Sequence, residues 1–179
     1  MKRFARGGGF VAVLLCVVSS LPAQLAEVQL GVVASYGSGD PFKPGGGLVL
    51  GIAPGRLTYA GLRWTYYPGA TRQGVRNRAQ VFALDLGVQL PVGALEVVPG
   101  LSLGFVRFAQ RTSTVSGHAT EFLAAPGVSV ETHLASLAFI PELQYDLAGN
   151  PDLSVPVRHR GLVASLRIVI PIEVGRLRH

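Results

Sequence analysis

Residues 81–90 read VFALDLGVQL, with Phe82, Leu84, Leu86, Val88 and Leu90 on every second position and Ala83, Asp85, Gly87 and Gln89 between them. A β-strand sends successive side chains to opposite faces, so this alternation predicts a strand with one wholly apolar side and one small or polar side. The polar side could not sit in hydrocarbon cheaply. The apolar side has nowhere to go but a core or a membrane.

The same period of two recurs on both sides of this segment, and apolar residues at helical spacing do not persist anywhere in the chain. Upstream lie Ala26 to Tyr36, the GLVLGIA segment from Gly47 to Ala53, and Leu57 to Tyr67, in which Ala60, Leu62, Trp64 and Tyr66 share a face. Downstream lie Leu95 to Phe108, Glu121 to His133, Leu137 to Asp146 and Gly161 to Pro171. With 81–90 these make eight strand candidates.

The connections alternate in character. SYGSGDPFKPGGG, YPGATRQGVRNRAQ, AQRTSTVSGHAT and LAGNPDLSVPVRHR are long, polar and rich in turn residues, whereas APGR, PVG and the ETHLAS region are short. An up-and-down barrel with loops at one mouth and tight turns at the other has this rhythm. The expected fold is therefore all-β: a closed antiparallel up-and-down barrel of about eight strands.

Face polarity separates two kinds of barrel. A soluble barrel of the lipocalin type points apolar residues inward and charges outward, and a membrane barrel inverts this. Here the polar faces carry glycine, serine and alanine with few charges, while the opposite faces are nearly continuous Leu, Val, Ile and Phe. A water-facing side would carry many more Lys and Glu. The small residues suit the crowded interior of a narrow transmembrane barrel, and closure leaves no strand edge for hydrocarbon to strand unpaired.

The first residues have a separate explanation. Lys2, Arg3 and Arg6 precede an apolar run from Phe10 to Val18, then Ser19, Ser20, Leu21, Pro22 and Ala23, the pattern of an export signal. Residues 1–23 are read as that leader, with Ala26 an alternative cleavage point, and 24–179 as one barrel domain. The single cysteine, Cys16, falls in the leader behind Leu15 rather than a small residue, which does not fit a lipidation site. The mature chain then has no thiol for a disulfide, a nucleophile or a thiolate metal site.

Of 179 residues, 49% are hydrophobic and only 15% charged, a balance that excludes a disordered polymer. Removing the three basic residues of the leader reduces the formal charge from +6 to +3, which is no nucleic-acid footprint. No nucleic-acid partner is expected.

On the rhythm of strands and loops, and on stretches such as VFALDLGVQL and VVPGLSLGF, the chain from about Ala26 to Pro171 resembles the eight-stranded outer-membrane barrels of the OmpA transmembrane-domain and OmpX type. The resemblance implies export, the outer membrane of a bacterium, and contact with outer-membrane lipid, lipopolysaccharide and the barrel-assembly machinery. Such barrels include structural, adhesive, protective and enzymatic members. Many end in an aromatic residue recognised during assembly, whereas this chain ends in IEVGRLRH at His179. Pro99, Pro126 and Pro141 also interrupt good strands, each removing a ladder donor that a bulge or strand end would have to absorb.

The inward faces would collect Arg63, Asp85, Glu96, Glu131, Glu142 and Arg167, and buried charges require partners. They form either a plug of ion pairs or a narrow, gated pore. The loops carry Lys43, Arg72, Arg76, Arg78, Arg111, Arg158 and Arg160, which could bind lipopolysaccharide phosphates or an anionic envelope or extracellular partner. Trp64, Tyr66 and Tyr67 would mark where the third strand leaves the membrane.

Catalytic candidates are thin. Ser129, Glu131 and His133 share a strand face, but alternate residues project in parallel and a triad must converge. Lipid A deacylases of the PagL type use His, Ser and Glu with the His two residues before the Ser, which this sequence does not reproduce. His118, His159 and His179 show no metal-ligand spacing. The reading is thus a non-enzymatic outer-membrane barrel with a structural or surface-interaction role and no cofactor. A narrow channel, a lipid-modifying enzyme and a soluble periplasmic carrier are the alternatives.

Overall fold

The computed structural model describes residues 26–54, 58–93, 95–112 and 116–174, so the proposed leader and the last five residues lie outside the described part. These residues form β1 (Ala26–Gly37), β2 (Gly45–Pro54), β3 (Thr58–Tyr67), β4 (Thr71–Arg72), β5 (Val75–Val88), β6 (Leu90–Val92), β7 (Leu95–Arg111), β8 (Ser116–Leu134), β9 (Leu137–Ala148) and β10 (Arg160–Val174). The short β4 and β6 extend hairpins. The other eight form the wall, each antiparallel to its neighbours, and β1 pairs with β10 from Ala26↔Val174 to Gly37↔Val163. The sheet therefore closes on itself as an eight-stranded up-and-down barrel.

Alternation decides which side chain meets which surroundings. Leu30, Val32, Leu48, Phe82, Phe105 and Ile170 point outward and are each more than half exposed. Their apolar neighbours on every wall strand make one continuous belt, far beyond the patches a water-soluble surface carries. The barrel is thus apolar outside, as face polarity predicts.

The inside differs from the expectation of a uniformly small and polar lining. Toward the loop mouth, Tyr67, Val81, Val106, Phe108, Leu123 and Val163 pack with Phe42, which the β1–β2 loop inserts into the lumen. Phe42 meets Tyr67 and Phe108 edge-on, with centroids 5.4 and 5.9 Å away. A second apolar group joins Val33, Val49, Ala138, Ile140 and Val169. Tyr67 is therefore core rather than belt, while Trp64 does face outward.

Two of the long connections are shorter than their polarity implies. β5 begins at Val75 and β7 runs to Arg111, so much of YPGATRQGVRNRAQ and AQRTSTVSGHAT is strand. Polarity tells where a strand leaves hydrocarbon, not where its ladder ends, because backbone pairing continues as long as a partner runs alongside. The two-residue turn Gln73–Gly74 joins β4 to β5 with φ of 50° and 76°, the left-handed pair that a type I′ hairpin requires.

The three prolines need neither bulge nor strand end. Pro99 faces Val128 and Pro126 faces Leu101 in an unbroken β7–β8 register. Between β8 and β9 the pairing lapses beside Pro126 and Pro141 and resumes in the same register. The missing donors cost local ladder bonds without displacing a side chain from its face.

The remaining loop is held down rather than free. Gln110 donates from Nε2 to the Val155 carbonyl at 2.8 Å and accepts from the Val155 N–H at 2.9 Å, while Leu153 and Val157 rest on the apolar cluster. Replacing Phe42 with Ala should destabilise the barrel by about 3–5 kcal/mol and loosen this mouth. The check is the urea midpoint of the detergent-folded protein together with protease cutting in the β1–β2 loop; an unchanged midpoint would contradict the packing.

Candidate functional site

Arg63 sits mid-strand on β3 and points inward, where a lone guanidinium could not remain. Its Nε and Nη2 donate to the two carboxylate oxygens of Asp85 at 3.0 and 2.8 Å. Nη1 and Nη2 also reach Glu142 at 3.3 and 3.0 Å. Asp85 is on neighbouring β5, whereas Glu142 is on β9, with β2, β1 and β10 between it and β3 around the ring. Arg63 therefore ties opposite sides of the lumen together.

Polar neighbours complete the arrangement. Ser102 donates to Asp85 Oδ1 at 2.7 Å and accepts from Arg63, and Gln144 accepts from Arg63 at 3.1 Å while donating to Asp146. On β10, Arg167 places Nε 3.2 Å from Glu142 and donates to the Tyr59 hydroxyl at 3.0 Å and to Ser129 at 3.3 Å. Its guanidinium also lies 5.3 Å from the Tyr59 ring centroid. Gly51 and Gly61 leave the room this ring occupies, since a Cβ at either would collide with it.

Two arginines thus face two carboxylates, and all four side chains are buried. The cavity beside them measures about 30 Å³, room for a few waters at most. The four side chains form a crossbar spanning the lumen from β3 to β9.

The six inward charges read from the sequence divide into two groups. Arg63, Asp85, Glu142 and Arg167 come together; Glu131 and Glu96 do not join them. Glu131 lies near the turn mouth and accepts from Gln29 Nε2 at 3.1 Å, and the same amide nitrogen donates to Glu27 at 2.8 Å. His133 Nε2 is 3.3 Å from Glu131, and Glu96 pairs across from Glu131 in the β7–β8 register. The ligand atoms of Glu27, Glu131 and His133 lie within 4.8 Å of one another, a donor set of the type divalent ions accept. Gln29 already bridges both carboxylates. Ser129 accepts its hydrogen bond from Arg167, apart from the Glu131–His133 pair, so the three residues do not converge as a triad.

The basic residues assigned to loops also separate. Arg158 donates to the Ser38 carbonyl at 3.0 Å and serves loop packing. Lys43 is half-buried beside Phe42, Arg160 starts β10, and the Arg72 side chain lies outside the described residues. Arg76, Arg78 and Arg111 stand on strands and border one open depression, together with Arg107 and His118. Those last two were not grouped with them from the sequence, although the spacing Arg107–Ala109–Arg111 carried the signal.

No protein-family model matches the sequence, and none of the curated proteins matches it. Solved structures match the fold. The chain is 12% identical to the N-terminal β-barrel domain of Pseudomonas aeruginosa OprF, covering 82% of this chain and 97% of that one with a TM-score of 0.59. A major outer membrane protein from Thermus thermophilus gives 16% identity, 83% and 99% coverage and a TM-score of 0.60. Ail, the attachment invasion locus protein of Yersinia pestis, gives 9%, 86%, 100% and 0.56. The fold is that of the small eight-stranded outer-membrane barrels.

Arg63→Met should leave Asp85 and Glu142 short of a buried cation, at a cost of roughly 3–5 kcal/mol. Adding Asp85→Leu should recover part of that loss, since the second change removes a stranded charge. A double-mutant cycle on denaturant unfolding in detergent micelles reads the coupling; strictly additive losses would mean that the pair does not interact.

Proposed function

We propose that this chain is a non-enzymatic outer-membrane β-barrel of a bacterium, exported and then inserted by the barrel-assembly machinery, which supports the envelope and presents its loop mouth for interaction. One observation carries the reading. The wall is apolar on the outside and closed on the inside, the inverse of a soluble carrier.

A carrier needs an apolar pocket and a channel needs a continuous wet path. The lumen supplies an ion-paired crossbar with Phe42 packed over it. What remains available for recognition is the outward wall and the loop mouth, which would face outer-membrane lipid, lipopolysaccharide and any extracellular or envelope partner. The similarity in fold to Ail, the attachment invasion locus protein, supports such a surface role, while carrying no ligand with it.

Expression of the full chain followed by fractionation should recover it in the outer membrane, with unboiled protein migrating apart from boiled protein on a gel. Reconstituted in planar bilayers, it should show no sustained conductance. Recovery of a soluble periplasmic product would sink the membrane assignment, and steady single-channel openings would replace the structural role with a pore.

A further inference from the structure

The outward wall of β5, β7 and β8 can be followed tier by tier through its register. Near the turn mouth the tier is Leu86, Leu101 and Pro126, followed by Leu84, Leu103 and Ala124, then Phe82, Phe105 and Phe122. The rings of Phe105 and Phe122 meet edge-on at 6.1 Å. Polarity then changes at once. The next tiers toward the loops are Gln80, Arg107 and Thr120; Arg78, Ala109 and His118; and Arg76, Arg111 and Ser116.

Successive tiers are about 7 Å apart along a strand, so the four arginines occupy roughly the first 20 Å beyond the phenylalanine row. Arg76 and Arg111 are directly paired, an arrangement of like charges that is unfavourable without a counterion. None of the described residues bordering the depression is acidic. Nor is this a belt running around the whole barrel: at the loop ends of β9 and β10 the outward tiers are Tyr145 with Leu162 and Leu147 with Arg160. Four arginines stand on the tiers of β5 and β7, against the single Arg160 on those of β9 and β10.

We propose that Arg76, Arg78, Arg107, Arg111 and His118 form a binding site for the phosphate groups of a lipid headgroup, whose acyl chains lie along Phe82, Phe105 and Phe122. Guanidinium groups bind phosphate oxygens in pairs, with fixed geometry and full charge. The abrupt step from rings to arginines matches the step from chain to headgroup in an amphiphile, which a water-soluble polyanion does not have. A headgroup with two phosphates, spread over neighbouring arginines, fits three adjacent strands better than a single charge. The assignment rests on the membrane reading above and selects the ligand for one face of the wall.

The test places the full mature chain in phosphatidylcholine nanodiscs containing a small fraction of a diphosphorylated lipid A, or the same lipid after removal of its phosphates. Native mass spectrometry after detergent release counts lipid retained by wild type and by Arg78→Gln/Arg107→Gln. Wild type should hold the phosphorylated lipid and release the dephosphorylated one, and the variant should lose roughly tenfold or more in retention. Equal retention by wild type and variant, or of both lipids by wild type, would overturn the site. Inorganic pyrophosphate that displaced the lipid at equal concentration would overturn the lipid source in favour of a free anion. Boiled and unboiled gel lanes from the same discs show whether both proteins are folded barrels. A soluble or unshifted wild type would defeat the membrane reading itself, a different failure from weak lipid retention by a folded barrel.

Discussion

Backbone pairing around a complete ring is the constraint from which the other features follow. Each wall strand has two neighbours, and the β1–β10 ladder removes the only edges an open sheet would leave. In hydrocarbon no water can satisfy a spare N–H or carbonyl. Closure permits the outward side chains of the belt to be apolar, as Leu30, Phe82 and Ile170 are. It also traps the inward set in a space of fixed girth.

That enclosed space explains the interior better than residue type does. A narrow lumen brings β3 within reach of β9, so Arg63 can hold Asp85 and Glu142 at the same time. Charges placed there survive only by compensating one another. Nearer the loops the same space is filled with Val106, Phe108 and Leu123, and a loop residue, Phe42, completes the packing from above. The polar crossbar and the apolar cap are two ways of filling one cylinder.

Strand faces were legible from single segments because a period of two is a property of each strand alone. From Phe82 to Leu90 the assignment of inside and outside needs no partner. Height along the barrel is another matter, since it depends on registers between strands. Glu131 and Glu142 are both inward, yet one meets Gln29 near the turn mouth and the other meets Arg63 in mid-barrel. No local pattern distinguishes them. Inward Val33, Val81 and Val163 escape the pattern for a related reason: glycines and serines on the same faces imply a polar lining, although an enclosed lumen accepts either character. Glu27, far away in sequence from Glu131 and His133, becomes their neighbour only when β1 closes the ring.

Register also converts scattered basic residues into an arrangement with direction. Arg76 and Arg78 precede the apolar part of β5, whereas Arg107 and Arg111 follow that of β7, because the two strands run opposite ways. Read linearly, they belong to two polar connections of no shared geometry. Antiparallel pairing brings both ends to the same mouth and alternation sends the arginines to the same side of the wall. The lumen offers little space beside its crossbar, whereas on the outside of β5 and β7 a polar tier borders an apolar one. The strands that continue past the apolar belt supply such surfaces on a rigid support, which a long flexible loop with the same charges would not.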